Sequence, residues 1–466
     1  MTAYTTLLSS FSGPTGANTE PVLKLIARSP TGRDLLERFL PMLKRGQVKI
    51  DRYPSAIVEK LRAVIPEGQP IGACLITEDT TGTIFLGKAA GLVLFCRMNI
   101  VAATKRFEAW LRRRIPVVEA DLDYKHEQMR ADPFLFFRAT FYRWAQLWPE
   151  RCPRLARAPE VLAVGDLHLE NFGTWRDAEG RLAWGVNDFD EAHPMAFTND
   201  LVRLAVSAML AADASPTFKL KPGEICAQLT AGYRETLERG GEPFVLMERH
   251  PKLRRLAFQD LRQPAEFWQR AEAKTVPYTG DVPDSVRKAF RKILPEGAKP
   301  EYRLLVKPKG LGSLGRRRFL ALVNWHGGMI AREAKDVVPS ACLWAAGKRA
   351  GKGNPWLEQT VRGAVRCADP YYEVRRGWLV RRLAPDCSRI DVDELVHHED
   401  KAALLLSMGQ ETANIHVGAP KARKRIAAAW EHLPKNWLEN AAQRMLKSSL
   451  KDWHRFKEAG GNKLKS

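Results

Sequence analysis

The stretch from Val161 to Glu191, VLAVGDLHLENFGTWRDAEGRLAWGVNDFDE, constrains the fold more than any other part of this 466-residue chain. The runs VLAVG and LAWGV are short and apolar, as buried strands are, and the residues between them have the turn chemistry of a hairpin at 177–180. The sequence therefore predicts that Asp166, Asn171 and Asp188 lie just beyond the ends of buried strands.

Oxygen-bearing side chains at strand ends can converge on one point, which suits Mg²⁺ because it prefers oxygen ligands in near-octahedral geometry. Asp166 and Asn171 are five residues apart, the separation between the catalytic Asp and the metal-binding Asn of kinase catalytic loops. Asp188 follows where a second metal ligand would stand. The competing interpretation is an Asp- and Asn-rich cluster of turns that only caps the strands.

The chain carries 74 Lys and Arg against 53 Asp and Glu, which gives a formal charge of +21 and a pI near 9.8. Such a charge favours anionic partners, among them nucleotides, phosphorylated metabolites and nucleic acids. The basic residues are spread along the chain, as on an ordinary solubilising surface. Nucleic acid is therefore a possible partner that the sequence does not favour.

Seven cysteines are widely spaced and include no C-x-x-C pair, so a reduced, cytoplasmic setting is expected. The N-terminus lacks the basic start and apolar core of a secretory signal. The longest apolar run, Ala89–Cys96, is far shorter than the roughly 18 residues of a membrane helix. We expect no membrane association.

Changes in texture along the chain predict four parts: an N-terminal extension (1–97), the first part of a catalytic lobe (98–300), a β-rich nucleotide lobe (301–384) and a helical C-terminal part of the catalytic lobe (385–466). The extension contains one helical pattern, Val22–Leu43. It also contains GTIFLGKA, which nearly spells a phosphate-binding P-loop. Ala89 stands where that loop needs Ser or Thr, so we discard it.

Periodicity predicts further helices and strands in the remaining parts. The helical patterns are Lys105–Arg114, the aromatic Pro133–Leu147, Asp200–Asp213, a segment including Leu357–Val365, and the basic tail from His397. The strand patterns are Tyr302–Val306, Arg318–Trp325, a strand from Gly328 that ends near Lys335, and two strands in YYEVRRGWLVRRL. The aromatic helix is expected to be core, with base stacking as the weaker alternative.

GDLHLENFG and NDFDEA resemble the Brenner-type motif of aminoglycoside phosphotransferase and choline kinase-like enzymes, which have a protein-kinase-like fold. Together with GLGSLGRRR, REAK and ETANIH, they more closely resemble a bacterial family known as domain of unknown function 2252, from about residue 98 onward. The resemblance implies that Asp166 is the catalytic aspartate and that Asn171 and Asp188 bind magnesium, with Asp190 in reserve. It also implies that His168 and Asp200 brace the loop.

The segment GLGSLG, Gly310–Gly315, is a second candidate site. G-x-G-x-x-G alone is weak evidence, but strands flank it on both sides, whereas a dinucleotide fold needs a helix directly after it. The kinase interpretation has the backbone of Gly310, Gly312, Ser313 and Gly315 approaching nucleotide phosphates.

Basic residues and a lysine extend that interpretation beyond the glycines. Arg316–Arg318 add positive charge directly after Gly315. Lys335, twenty residues past Gly315, is the predicted phosphate-pairing lysine, and Glu358 in the next helix is its predicted partner. Arg332 is the alternative to Lys335.

Asp166 precedes Gly310 by about 145 residues, whereas in ordinary kinases the glycine-rich loop comes first. We therefore predict an α+β, protein-kinase-like, two-lobed fold with a permuted order and an N-terminal extension. The expected function is an ATP- and Mg²⁺-dependent phosphotransferase acting on a hydroxyl of a small molecule, with a protein acceptor as the weaker alternative. The alternatives are AMP transfer, or a catalytically silent nucleotide-sensing or nucleic-acid-binding protein. The acceptor and the oligomeric state stay open.

Overall fold

A computed structural model describes residues 75–78, 84–87, 98–257, 264–305, 312, 314–387, 389–419 and 421–460. The chain divides into two compact units, Met1–Met98 and Asn99–Ser466. In the first unit, β1 (Leu75–Glu78) pairs antiparallel with β2 (Ile84–Gly87). The predicted helix Val22–Leu43 lies outside the described residues.

The second unit mixes strands and helices, in agreement with the predicted α+β class. Its strands are β3 (Glu160–Ala163), β4 (Phe172–Arg176), β5 (Leu182–Val186), β6 (His193–Ala196), β7 (Phe244–Val245), β8 (Thr275–Pro277), β9 (Glu301–Leu305), β10 (Arg318–Trp325), β11 (Gly328–Asp336), β12 (Glu373–Arg375) and β13 (Trp378–Leu383).

The helices of this unit lie before, between and after those strands. They are α1 (Ile100–Arg112), α2 (Glu119–Ala131), α3 (Pro133–Ala139), α4 (Phe141–Arg151), α5 (Thr198–Ala214), α6 (Pro222–Arg239), α7 (Leu246–Arg249), α8 (Pro251–Ala257), α9 (Pro264–Ala273), α10 (Asp284–Phe290), α11 (Ala341–Ala345), α12 (Pro355–Gly363), α13 (His398–Val417), α14 (Ala422–Trp430) and α15 (Trp437–Glu458). No helix of the described residues is long and apolar enough to cross a bilayer.

One six-stranded antiparallel sheet has the order β12-β13-β11-β10-β9-β8. Alternation along its strands gives it two different faces. One face packs against α10, where Phe319, Ala334 and Val380 meet Phe290. The other face carries charged residues at the ends of β10 and β11, among them Arg318, Glu333 and Lys335.

The motif region contains two separate strand pairs, β4 with β5 and β3 with β6. FGTWR is itself a strand, β4, and it forms the predicted hairpin with LAWGV, β5, in the register Phe172↔Val186. Asp177 closes the turn, since its Oδ1 accepts hydrogen bonds from the backbone N–H groups of Glu179 and Arg181. VLA of the first motif, in β3, pairs instead with β6.

The predicted aromatic helix is two helices, α3 and α4, separated at Thr140. The Thr140 hydroxyl donates to the Phe136 carbonyl, and this local bond offers the backbone an alternative to a continued helix. Phe136, Phe137 and Trp144 are at most 3% exposed, so these aromatics form core and are not free for base stacking.

The helical core is built around α5, whose residues from Thr198 to Ala212 are all buried. Nearby, α6 and α13 approach closely because each carries a glycine at the contact. A side chain at Gly232 would overlap the carbonyl oxygen of Leu406, and one at Gly409 would overlap that of Leu229. Such backbone-to-backbone contact fixes the position of α13, which carries the ETANIH motif.

Candidate active site

A tight turn after β3 aims Asp166 away from the strand. Gly165 has φ of +81°, and a Cβ there would lie 2.5 Å from the Glu191 carbonyl oxygen, so the turn requires glycine. Asp200, fully buried on α5, accepts hydrogen bonds from the backbone N–H groups of Val164 (2.7 Å) and Gly165 (3.0 Å). Asp200 thus braces the loop as the family resemblance implies.

The brace extends into the C-terminal helices. His416, the histidine of ETANIH, places Nε2 3.1 Å from Asp200 Oδ2, and its Nδ1 lies 2.9 Å from the Tyr233 hydroxyl. All three side chains are buried. The last motif of the chain therefore supports the first one through Asp200.

Asp166 is tied to a buried arginine. Arg203 places both Nε (2.8 Å) and Nη2 (2.5 Å) on Asp166 Oδ1, and its side chain is fully buried. Burial raises the pKa of Asp166 above its ordinary value, and the positive charge of Arg203 opposes the rise without cancelling it. Asp166 Oδ2 is the oxygen on the side of Gly312.

Asn171 ends a short 3₁₀ helix, Leu169–Asn171, directly before β4. Its side-chain amide donates to the Asp166 carbonyl at 2.5 Å, and its own carbonyl accepts from the Asn187 N–H at 2.9 Å. Asn171 therefore links the two motifs that the sequence singled out. The hydrogen bond to Asp166 uses the side-chain nitrogen of Asn171, and the side-chain oxygen is of a type that can bind magnesium.

Asp188 and Asp190 follow β5 and share one lysine. The Lys335 ammonium lies 2.6 Å from Asp190 Oδ2 and 3.6 Å from Asp188 Oδ1, and the lysine is 1% exposed. Burial alone would raise the pKa of Asp188, but the charges of Lys335, Arg381 and Arg318 outweigh it and hold that pKa well below its ordinary value. Asp188 is ionised at neutral pH.

The charged face of the six-stranded sheet supplies these cations. Pairing of Arg318 with Lys335, and of Glu333 with Arg381, puts all four side chains on that face. Glu333 lies 3.3 Å from Arg318 Nη1 and 2.5 Å from Arg381 Nε. Burial opposes ionisation of Glu333, yet Arg381 and Arg318 lower its pKa to about 2.

Arg316 joins the loop after the glycines to the acidic motif. Its guanidinium lies 2.9 Å from Asp190 Oδ2 and 3.3 Å from Glu191 Oε1. Glu191 also accepts the N–H of Ala341 at the start of α11 at 2.6 Å. Burial raises the pKa of Glu191 to about 7 even though Arg316 opposes the rise.

The glycine-rich segment reaches the Asp166 loop. A methyl group on Gly312 would lie 3.4 Å from Asp166 Oδ2 and 3.3 Å from the Arg138 carbonyl oxygen. Gly315 adopts φ of +92° and its carbonyl accepts from the Val118 N–H at 3.0 Å. The predicted phosphate-contacting residues Gly310 and Ser313 lie outside the described residues.

The structure separates the two candidates for the phosphate-pairing residue. Lys335 faces the acidic motif, whereas Arg332, on the opposite face of β11, donates to the Ile293 carbonyl and stacks on Tyr371. The predicted pair between Lys335 and Glu358 is wrong. The Glu358 side chain is 39% exposed, lies 3.5 Å from Arg362 and accepts the Val374 N–H, whereas the Lys335 ammonium pairs with Asp188 and Asp190.

The oxygen-bearing side chains of this site could bind magnesium only together with oxygen atoms from a substrate. In the part of the chain that the structure describes, no three His, Cys, Asp or Glu side chains are grouped closely enough to hold a metal. Magnesium is commonly held by one or two carboxylates completed by substrate phosphates and water. Asp188, Asp190 and the amide oxygen of Asn171 are donors of the type that requirement names, and they would hold the ion together with substrate phosphates.

Sequence reasoning identified Arg316 and Arg318 but missed Arg203, Arg138 and Lys125. Arg203 left a signal, because it is a charged residue three positions after Asp200 in an otherwise apolar helix. Arg138 left a weaker one, at the end of an aromatic run. Lys125 is also buried, and burial together with nearby Arg316 lowers its pKa to about 8, against the opposing effect of Glu108. Nothing in its sequence surroundings distinguishes Lys125 from a surface lysine.

One protein-family model, described as an uncharacterized protein conserved in bacteria and named domain of unknown function 2252, matches residues 114–251. Both acidic motifs lie inside the match. The resemblance to this family is thereby confirmed for that segment, while its extension beyond residue 251 stays a prediction. No curated protein and no solved structure matches the chain.

Proposed function

We propose that this protein is an ATP- and Mg²⁺-dependent phosphotransferase of kinase-like fold that acts on a hydroxyl group of a small molecule. One observation carries the proposal. Gly312 adjoins Asp166, and Lys335, from the strand that follows the glycine-rich segment and β10, reaches Asp188 and Asp190. These groups come from segments more than a hundred residues apart, and they meet in one charged site.

The geometry supports the following roles for the residues of the site. Arg203 holds Asp166 through Oδ1, so Oδ2 is the oxygen oriented to accept the acceptor's hydroxyl proton while the hydroxyl oxygen attacks the terminal phosphorus and ADP leaves. The raised pKa of Asp166 brings it nearer to that of an effective base. Asn171, Asp188 and Asp190 would hold magnesium, which neutralises phosphate charge. Lys335 and the backbone at Gly312 would contact the phosphates.

The test measures thermal unfolding with ATP, with Mg²⁺ and with both, in the wild type, Asp188→Asn and the matched control Asp281→Asn, an exposed aspartate before α10. Mg²⁺ with ATP should stabilise the wild type and the control, by about 2.7 kcal/mol at a hundredfold excess over Kd. Asp188→Asn should lose most of that stabilisation. Equal stabilisation by ATP in all three proteins, with or without Mg²⁺, would contradict the proposal.

A chemical readout separates the types of transfer. With a panel of sugar, amino-alcohol and nucleoside acceptors, phosphate transfer releases ADP, whereas AMP transfer releases pyrophosphate. Asp166→Asn should abolish ADP release while keeping the stabilisation by Mg²⁺ with ATP, because Asp166 acts on the acceptor. Undiminished release in Asp166→Asn would remove it from the catalytic role.

A further inference from the structure

Two arginines converge on one carboxylate oxygen beside the candidate active site. Arg138 Nη1 lies 2.8 Å, and Arg389 Nη1 3.0 Å, from Glu170 Oε2. The Arg138 side chain is 5% exposed, while those of Glu170 and Arg389 are 35% and 41% exposed. We call these three residues the arginine fork. Paired guanidinium groups of this kind match the oxygens of a carboxylate or a phosphate.

The fork holds more positive charge than its own carboxylate balances. One Glu170 serves two guanidinium groups, and Arg138 Nε is buried with no hydrogen-bond partner among the described residues. Burial lowers the pKa of Arg389; Glu170 opposes that shift, and the nearby charges of Arg138 and Arg381 add to it. A second anion in the fork would relieve this imbalance, because the Arg138 guanidinium is buried and an incompletely paired buried charge is costly.

A neutral histidine lies next to the same charges. His168 is 5% exposed and its Nδ1 has no hydrogen-bond partner within the described part of the chain. Burial first, and then the charges of Arg138, Arg203 and Arg389, lower its pKa well below the ordinary value. His168 therefore stays uncharged and leaves an unsatisfied ring nitrogen in the loop that carries Glu170.

The fork is placed where an acceptor would have to bind. The Arg138 carbonyl adjoins Gly312, and the Arg138 charge opposes the rise that burial causes in the pKa of Asp166. The Arg389 guanidinium lies near enough to Asp188 for their charges to interact. The charges of the fork therefore act on both carboxylates of the proposed reaction.

We propose that Arg138 and Arg389 bind an anionic group of the acceptor molecule, either a carboxylate or a phosphate. This inference rests on the proposed function. Glu170 fills this position until the acceptor displaces its carboxylate. The acceptor is then a hydroxyl compound that carries its own anionic group, such as a sugar phosphate or a hydroxy acid. The same chemistry would suit a phosphate of the nucleotide, and the experiment distinguishes the two sources.

The experiment follows thermal unfolding during titration with inorganic phosphate and, separately, acetate, at constant ionic strength set with NaCl. It compares the wild type, Glu170→Gln, Arg389→Gln and the control Arg362→Gln, whose side chain is 79% exposed on α12. Glu170→Gln should bind phosphate or acetate about tenfold more tightly, about 1.4 kcal/mol, because the competing carboxylate is gone. Arg389→Gln should bind about tenfold more weakly, and Arg362→Gln should match the wild type.

The proposal would be overturned if the four proteins did not differ from one another in their affinity for phosphate or in their affinity for acetate. Stabilisation by Mg²⁺ with ATP identifies the source of the oxyanion: Arg389→Gln should retain it, and its loss would assign the fork to the nucleotide and overturn the acceptor assignment. If ATP fails to stabilise even the wild type while the phosphate affinities shift as expected, the anion site stands and the proposed function fails. If Mg²⁺ with ATP stabilises the wild type but the phosphate affinities do not differ among the variants, the anion site is refuted and the proposed function is not.

Discussion

Replacement of Lys335 by methionine tests the charged centre of the site most directly. Methionine keeps the apolar stem but removes the ammonium that lies 2.6 Å from Asp190 and 3.6 Å from Asp188. Lys335 is 1% exposed and the Asp190 side chain 11% exposed, so water cannot replace the lost partner well. Removing one member of a buried pair typically costs about 3–5 kcal/mol. Because Arg316 remains 2.9 Å from Asp190, we expect a loss near the lower end, about 3 kcal/mol.

The loss should depend on pH. In the wild type, the pKa of Asp188 in the folded state is below its value in the unfolded chain, so its ionisation stabilises the fold at neutral pH. That contribution is present above the unfolded-state pKa and disappears as the pH falls through the folded-state pKa. Without Lys335 the pKa of Asp188 rises and the contribution shrinks. The difference between wild type and Lys335→Met is therefore largest at neutral pH and decreases in acid.

Equilibrium unfolding in urea at pH 7 and in steps from about pH 4 down to about pH 2 measures both effects, because the Asp188 contribution is lost below the unfolded-state pKa. The double variant Lys335→Met/Asp190→Asn removes the stranded charge and should recover at least half of the lost stability at pH 7. Lys288→Met is the control, because that lysine is 52% exposed and 3.9 Å from Asp284, a surface pair worth about 0–1 kcal/mol. A loss below about 1 kcal/mol for Lys335→Met, or no recovery in the double variant, would refute the reasoning.

Two further predictions concern groups outside the lysine pair. The folded-state pKa of Glu191 is raised to about 7, so its contribution is greatest in acid and is lost as the pH rises through about 7; melting temperatures of Glu191→Gln should decline less than those of the wild type from pH 5 to pH 8. Gly232→Ala should cost about 1–3 kcal/mol, because its methyl group would overlap the Leu406 carbonyl. Gly223→Ala on the same helix meets only Glu439 at 3.5 Å and should be nearly neutral in urea unfolding.

Local pattern was enough to locate the strands that carry the acidic motifs. Turn residues predicted the hairpin at 177–180, and apolar runs predicted β5 and β10 with their observed bounds. The position of Asp166 just beyond the end of β3 was also predicted, since strand ends are marked by the change from apolar to polar residues. These features depend on neighbours within a few residues, which a sequence displays directly.

The partners of the charged residues could not be predicted in the same way. Arg203 is 37 residues from Asp166, and Arg316 is 126 residues from Asp190. Such pairs depend on how the helices and the sheet pack against each other. The sequence contains many other arginines that could equally have been predicted as the partners of these carboxylates. The alternation of side chains along β11 does put Lys335 and Arg332 on opposite faces of the sheet. Which of the two faces the acidic motif could not be predicted, because that depends on α10 covering the face that carries Arg332.

The long separations along the chain also set an order of events during synthesis. Asp188 and Asp190 leave the ribosome well before Arg316 and Lys335, and Asp200 precedes its partner His416 by 216 residues. Until those cations arrive, burying the carboxylates is unfavourable. A nascent chain stalled before Lys335 would carry the β4–β5 hairpin with its acidic end unneutralised. The site is therefore completed late in translation, after most of the compact unit has been made.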